Sequence, residues 1–159
     1  MSSIITLDFY KEKHLPELLK FCLPPEQEVF TALPKDVLHL CLSDRHRFPI
    51  VVLLDDVVVG FFILHYGRDI MEFIHNPNAI LLRSFLINYR FQKNGYAKQT
   101  LKLVLEFIKN NFSGINQLIL AVNEKNMPAQ NLYLRCGYTD TSIKKIGPKG
   151  PQLIFQHSI

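Results

Sequence analysis

Gln92-Lys93-Asn94-Gly95-Tyr96-Ala97 joins a short apolar run, Ala79 to Ile87, to a long amphipathic one, Tyr96 to Phe112. A strand that ends in a loop and opens into a helix at a glycine is a ready anion site. The first N–H groups of a helix have no intrahelical partner, and the aligned peptide dipoles add positive charge there. A phosphate or pyrophosphate fits such an end without a cationic side chain. Gly95 allows the chain to turn at positive φ and a ligand to approach the backbone. Asn94-Gly95 is also a two-residue hairpin signal, but a hairpin needs alternating residues on both sides. Ala97, Leu101, Val104, Leu105, Ile108 and Phe112 instead recur at helical spacing, so a helix opening at the glycine is expected.

Working outward, Gln117 to Val122 is a continuous apolar run that reads as a strand buried on both faces. With Ala79 to Ile87 it completes a βαβ unit over 79 to 122. Met127 to Cys136 reads as a helix, with Asn126 as N-cap and Pro128 in its first turn. Phe112 to Gly114 should end the preceding helix at a C′ glycine. Upstream, Ile4 to Phe9 is a strand. His14 to Cys22 and Lys35 to Leu42 are short helices separated by a Pro24-Pro25 break. Pro49 to Leu54 and Val57 to Tyr66 form a hairpin through Asp55-Asp56, and His75 to Pro77 is a turn. Gly137 to Ile146 and Gln152 to His157 are closing strands. The order predicts an α/β (α+β) fold: a mixed central sheet of six to seven strands with about four helices on both faces.

The 159 residues suit one domain spanning 1–159. Hydrophobic residues make 48% and charged residues 20%, ordinary values for a soluble globular chain. Pro49 to Leu64 is the longest apolar stretch. It is broken by Asp55-Asp56 and Gly60, and falls short of the ~18 residues of a membrane span. The first residues lack the basic start and small-residue cleavage site of a leader. Cys22, Cys41 and Cys136 show no CxxC spacing, so reduced thiols in a cytoplasmic protein are expected, with no metal. The +4 charge is scattered, which argues against a nucleic-acid surface while still favouring a small polyanion.

Two motifs, in order and correctly spaced, carry a family resemblance. One is Q-x-x-G-x-G/A, present as Gln92, Gly95 and Ala97. The other is N-x-x-A-x-x-L-Y-x-x-x-G-F, present as Asn126, Ala129, Leu132, Tyr133, Gly137 and Tyr138. In these residues the chain resembles the GNAT superfamily of N-acetyltransferases over about residues 48 to 157. It departs conservatively at Ala97, for glycine, and at Tyr138, for phenylalanine. The first 47 residues match the variable acceptor-side helices of that family only loosely.

The resemblance implies acetyl-CoA as cosubstrate and a primary amine, of a small molecule or a peptide, as acceptor. It implies that the backbone of Gln92, Lys93, Asn94, Gly95, Tyr96 and Ala97, with Lys98, cradles the pyrophosphate. The pantetheine arm would lie along Phe85, Leu86 and Ile87 like an added strand. That placement needs the 79 to 87 and 117 to 122 strands to splay. Asn126 would touch the CoA arm besides capping its helix, and Lys93, Lys98 or Lys125 would meet the 3′-phosphate. Tyr133 is implied as general acid toward the leaving thiolate. Its place on the Ala129, Leu132, Tyr133, Cys136 stripe equally fits core packing.

Some members of the family carry a glutamate near Leu81 to Ser84; here that stretch holds Arg83 instead. Glu72, at the end of the preceding strand, is a weak candidate base, beside a water chain or an amine that arrives neutral; His65 and His75 titrate in the useful range but read as surface or turn residues. Cys136 has apolar neighbours, which favours a structural role over acyl carriage, so direct attack in a ternary complex is expected. Glu26, Glu28 and Asp36, within Leu23 to Leu38, faintly resemble polyamine acetyltransferases. The competing reading is a CoA-binding or sensing module without turnover, and a homodimer stays open.

Overall fold

A computed structural model describes residues 4–159. Seven strands form one sheet: β1 (Ile5–Phe9), β2 (Arg47–Leu54), β3 (Val57–Tyr66), β4 (Ala79–Ile87), β5 (Gln117–Asn123), β6 (Thr139–Gly147) and β7 (Gly150–Ser158). Their order is β1-β2-β3-β4-β5-β7-β6. Of the neighbouring strand pairs only β4 and β5 run parallel, joined by the crossover helix α4 (Tyr96–Asn111). Every other neighbouring pair is antiparallel.

Helices cover both faces. On one, α4 and α5 (Met127–Arg135) place Leu101, Val104, Ile108 and Tyr133 against Ile50, Phe62, Leu82, Leu120 and Phe155. On the other, α1 (Leu15–Leu18) and α3 (Pro34–Leu42), with α2 (Pro25–Glu28) between them in the chain, lie over β2 and β3, where Leu18, Leu38 and Cys41 meet Val51, Phe61 and Ile63. The two-sided cover explains why β3 is buried along nearly its whole length.

Three differences from the sequence reading have local causes. The helix expected over His14 to Cys22 is a 3-10 turn, Glu12–His14, followed by four-residue α1. The Cys22 N–H is drawn instead to Asn88 Oδ1, 3.0 Å away in the loop after β4, which favours the turn over another helical bond. The expected break at Pro24-Pro25 starts a helix, since Pro25 at the first helical position gives up an N–H that would lack a partner anyway. Gly114 has φ +78 but is not the C′ residue: α4 ends at Asn111, and extended Phe112 caps it. The described residues thus form five α-helices where about four helices were expected.

The decisive irregularity lies in β4. Its register against β3 passes from Ile63↔Arg83 to Phe61↔Leu86, so β4 holds one residue more than its partner. Ser84 within this bulge has φ +55. A bulge bends and twists its strand. Pairing of β4 with β5 accordingly stops at Leu82↔Leu120, although the strands continue to Ile87 and Asn123. The splay that the pantetheine placement requires is present. Among the described residues no helix is long and apolar enough to cross a membrane.

Candidate functional site

The splay opens two adjoining cavities. The smaller, about 320 Å³, lies between the end of β4, the head of α4 and α5. It is lined by Phe85, Leu86, Ile87, Gln92, Lys93, Gly95, Tyr96, Ala97, Lys98 and Tyr133, joined by Phe91, Ala129 and Leu132. The larger, about 850 Å³, runs between the strands toward α2 and the β6–β7 turn, and reaches Tyr133 and Asn126.

The head of α4 is built from backbone. Lys93 has φ +66 and Gly95, the N-cap, has φ +80 and ψ +9. This left-handed alternation turns successive N–H groups to one side, the geometry of an anion nest. The first N–H of α4 with a helical acceptor is Gln99, bonded to the Gly95 carbonyl at 3.1 Å. The N–H groups from Lys93 to Lys98 have no acceptor among the described residues. A Cβ at Gly95 would touch nothing within 4 Å, so glycine answers the backbone angle and leaves open space above the nest.

Side chains around the loop hold it in place. Gln92 Nε2 donates to the Ile87 carbonyl at 2.9 Å and to Gln27 Oε1 at 2.8 Å, while Gln27 Nε2 returns a bond to Gln92 Oε1 at 3.1 Å. The side chain of this motif residue therefore ties the cradle to β4 and α2. Asn94 Nδ2 donates to the Phe91 and Gln92 carbonyls, at 3.0 and 3.1 Å, and its side chain lines neither cavity. Lys93 and Lys98 flank the nest, whereas Lys125 lines neither cavity.

Asn126 Oδ1 accepts from the Ala129 N–H at 3.3 Å, which caps α5, and Asn126 also lines the larger cavity. Tyr133 is 8% exposed, its ring against Tyr138 and Phe155, and it lines both cavities. Its hydroxyl has no hydrogen-bond partner among the described residues. Burial pushes the phenol up to about 12, so it stays protonated and able to donate at neutral pH. Tyr138 uses its hydroxyl on the Leu101 carbonyl, at 3.2 Å, which pins the turn after α5 to α4. The departure from phenylalanine at this motif position gains that bond.

Glu72 lies in the turn after the 3-10 segment Arg68–Ile70, not at the end of β3. Its carboxylate is exposed, lines the larger cavity and pairs with Lys145 at 3.1 Å. Glu26 reaches that cavity's rim, but Glu28 and Asp36 do not line it. The three acidic residues on α2 and α3 therefore do not form one pocket. Arg83, Lys145 and Lys149 line the same cavity and were not read from sequence as site residues, because they come from segments with no shared motif. Phe91, Ala129 and Leu132 were likewise missed as lining residues; the motif spacing of Ala129 and Leu132 was the available signal.

The chain is similar to known proteins in sequence and in fold. The family model described as the acetyltransferase (GNAT) family matches residues 14–138. The uncharacterised N-acetyltransferase YbbJ of Bacillus subtilis (strain 168) is 42% identical over 158 residues, 99% of each chain. Among solved structures, the aminoglycoside acetyltransferase AAC(6′)-Ib in complex with coenzyme A and kanamycin superposes with a TM-score of 0.78. It is 16% identical, over 98% of this chain and 95% of that one. An acetyltransferase from Salmonella typhimurium that modifies the N-terminal serine of ribosomal protein L7/L12 gives 0.75 at 14% identity, over 99% and 96%.

Proposed function

The chain belongs to the acetyltransferase (GNAT) family, and from that premise we propose that it moves an acetyl group from acetyl-CoA to a primary amine by direct attack. The observation that carries the reading is the run of unengaged N–H groups from Lys93 to Lys98, facing a cavity that ends at Tyr133.

In this reading the pyrophosphate sits on the nest, where N–H dipoles replace its water. The pantetheine arm follows the edge of β4 beyond Leu82, where β5 no longer pairs, and its amides bond to free backbone groups. The thioester then lies near Tyr133, and the amine enters from the larger cavity. Its nitrogen forms a bond to the thioester carbon as the C–S bond breaks. The sulfur takes the hydroxyl hydrogen of Tyr133, and the amine proton returns through cleft water to the phenolate, which restores the phenol. Thiols ionise near pH 8.5, well below the Tyr133 phenol, so the transfer to sulfur is coupled to that return. Glu72 is engaged with Lys145, and an amine that arrives neutral and sheds its proton to water fits the geometry better than direct abstraction by Glu72. We read the activity as cytoplasmic, a reading that the three free cysteines support.

The test is CoA-thiol release from acetyl-CoA with a panel of amino acids, peptides, polyamines and aminoglycosides. Release that requires an amine, with the acetylated amine recovered, is expected. Tight CoA binding with no acetylated product from any amine would favour a sensing module instead.

A further inference from the structure

The larger cavity contains a cation with no counter-ion. Arg83 stands on β4 directly before the bulge, partly buried, where some relatives were expected to carry a carboxylate. It lines the cavity that Tyr133 closes. It forms no ion pair among the described residues; what holds it is an imidazole. Arg83 Nη1 lies 3.2 Å from His65 Nδ1. A guanidinium only donates, so Nδ1 accepts and the ring proton sits on Nε2. That Nε2 is buried without a hydrogen bond and faces Asp69 Oδ2 at 3.4 Å. Burial, then Arg47 and Arg83, keep His65 below its ordinary pKa and therefore neutral. The 3.2 Å bond from Arg83 to His65 fixes the direction of the guanidinium.

Two of the carboxylates around this arginine belong to other cations. Asp44 pairs with Arg47 at 3.3 Å, and Glu72 pairs with Lys145 at 3.1 Å. Glu26 is exposed at the rim. Lys149 Nζ donates to the Glu28 and Thr31 carbonyls across the far end of the cavity. A partly buried guanidinium is unfavourable unless a partner supplies negative charge. Its planar fork suits a carboxylate in two parallel hydrogen bonds. A polyamine or aminoglycoside would bring more positive charge to the same wall.

We infer that Arg83 is the specificity-determining residue of the acceptor site, binding a carboxylate, and that the acceptor is an amine bearing one: an amino acid or an acidic peptide. This rests on the acetyltransferase reading for which end of the molecule reacts, but not for whether a carboxylate binds.

The experiment pairs each amine with its carboxylate removed: glycine with glycinamide, glutamate with glutamine, 4-aminobutyrate with 4-aminobutanamide, and an acidic dipeptide with its amide. Binding to the CoA-saturated protein is measured by calorimetry, and acetylation by thiol release. The carboxylate forms should bind about tenfold or more tightly than their partners, the scale of a charge-assisted pair. Arg83→Gln should abolish that difference, and Arg83→Lys should keep part of it at unchanged melting temperature. Equal binding of the two forms, preference for the amides, or a carboxylate preference that survives in Arg83→Gln would overturn the inference. Acetylation without carboxylate preference would refute the role of Arg83 alone. Carboxylate-selective binding without acetylation would uphold that role and refute the transferase reading.

Discussion

The two cavities are made of different material. The smaller is framed by backbone, a left-handed turn at Lys93 and Gly95, the head of α4, and a strand edge freed by a bulge, with apolar side chains such as Leu132 and Tyr133 closing one wall. The larger is side chains drawn from α2, the turn at Glu72, β4, β5, α5 and the β6–β7 hairpin. A backbone cradle recognises what every donor shares, a pyrophosphate and two amides, and needs few particular residues. A side-chain wall can change with the acceptor while the fold stays the same. The difference predicts that substitutions on the two sides fail in different ways.

Tyr133, where the cavities meet, should give the largest effect. Tyr133→Phe keeps the ring packed on Tyr138 and Phe155 and removes only the unpartnered hydroxyl. kcat should fall about 10²-fold, the scale of a lost general acid, with acetyl-CoA affinity and melting temperature nearly unchanged. If the thiolate leaves unaided and the hydroxyl only positions sulfur, the loss is smaller and shrinks with a better leaving thiol. Full activity would reduce Tyr133 to core. Because burial raises the phenol to about 12, kcat should also hold as pH passes 10.0, the ordinary tyrosine value.

Gly95→Val addresses the backbone side alone. A β-branched residue at φ +80 is strained, so the nest should distort and CoA binding should weaken by about 2 kcal/mol or more, roughly 30-fold. Calorimetry on the folded variant measures it. An unchanged dissociation constant would mean that the cradle is not the phosphate site.

These residues show why one half of the site was legible. Gly95 and Ala97 are fixed by backbone geometry, and Asn126 and Tyr133 by their spacing on one helix, so local sequence carries them. The β4–β5 splay depends on a bulge at Ser84, a residue type with no left-handed preference as strong as glycine's, and nothing local announces it. Arg83 was visible as a residue that stood in place of a carboxylate. Its environment was not, because His65 and Asp69 come from another strand and a turn. Gln92 was assigned to the cofactor through its motif, and its side chain proves to be a tie to Gln27, 65 residues away. α2 escaped notice because two prolines read as a break rather than a helix start.

Smaller effects sharpen the comparison. Dephospho-CoA should bind about two- to fivefold more weakly than CoA if Lys93 and Lys98, beside the nest, meet the 3′-phosphate. Lys125→Ala should leave both affinities unchanged. Equal binding of the two ligands would remove the lysines from the site.

On the acceptor side, His65 should make stability depend on pH. Its folded pKa lies below the ordinary 6.5, chiefly through burial, so the unfolded chain takes up the proton first. Stability from the neutral ring is complete above pH 6.5 and declines as pH falls from there toward the folded value. The melting temperature should therefore drop through that window, and His65→Gln should flatten this part of the profile. An unchanged slope in the variant would assign the acid sensitivity elsewhere.

The central claim is that the N–H groups from Lys93 to Lys98 bind the CoA pyrophosphate. The most direct measurement is amide nitrogen-15 NMR of this 18.4 kDa chain during titration with CoA. The account predicts that the amides of Lys93 to Lys98 show the largest downfield shifts. They should saturate together, and inorganic pyrophosphate should move the same amides more weakly. Saturation by CoA with those six amides unmoved, and the shifts clustered elsewhere, would contradict it.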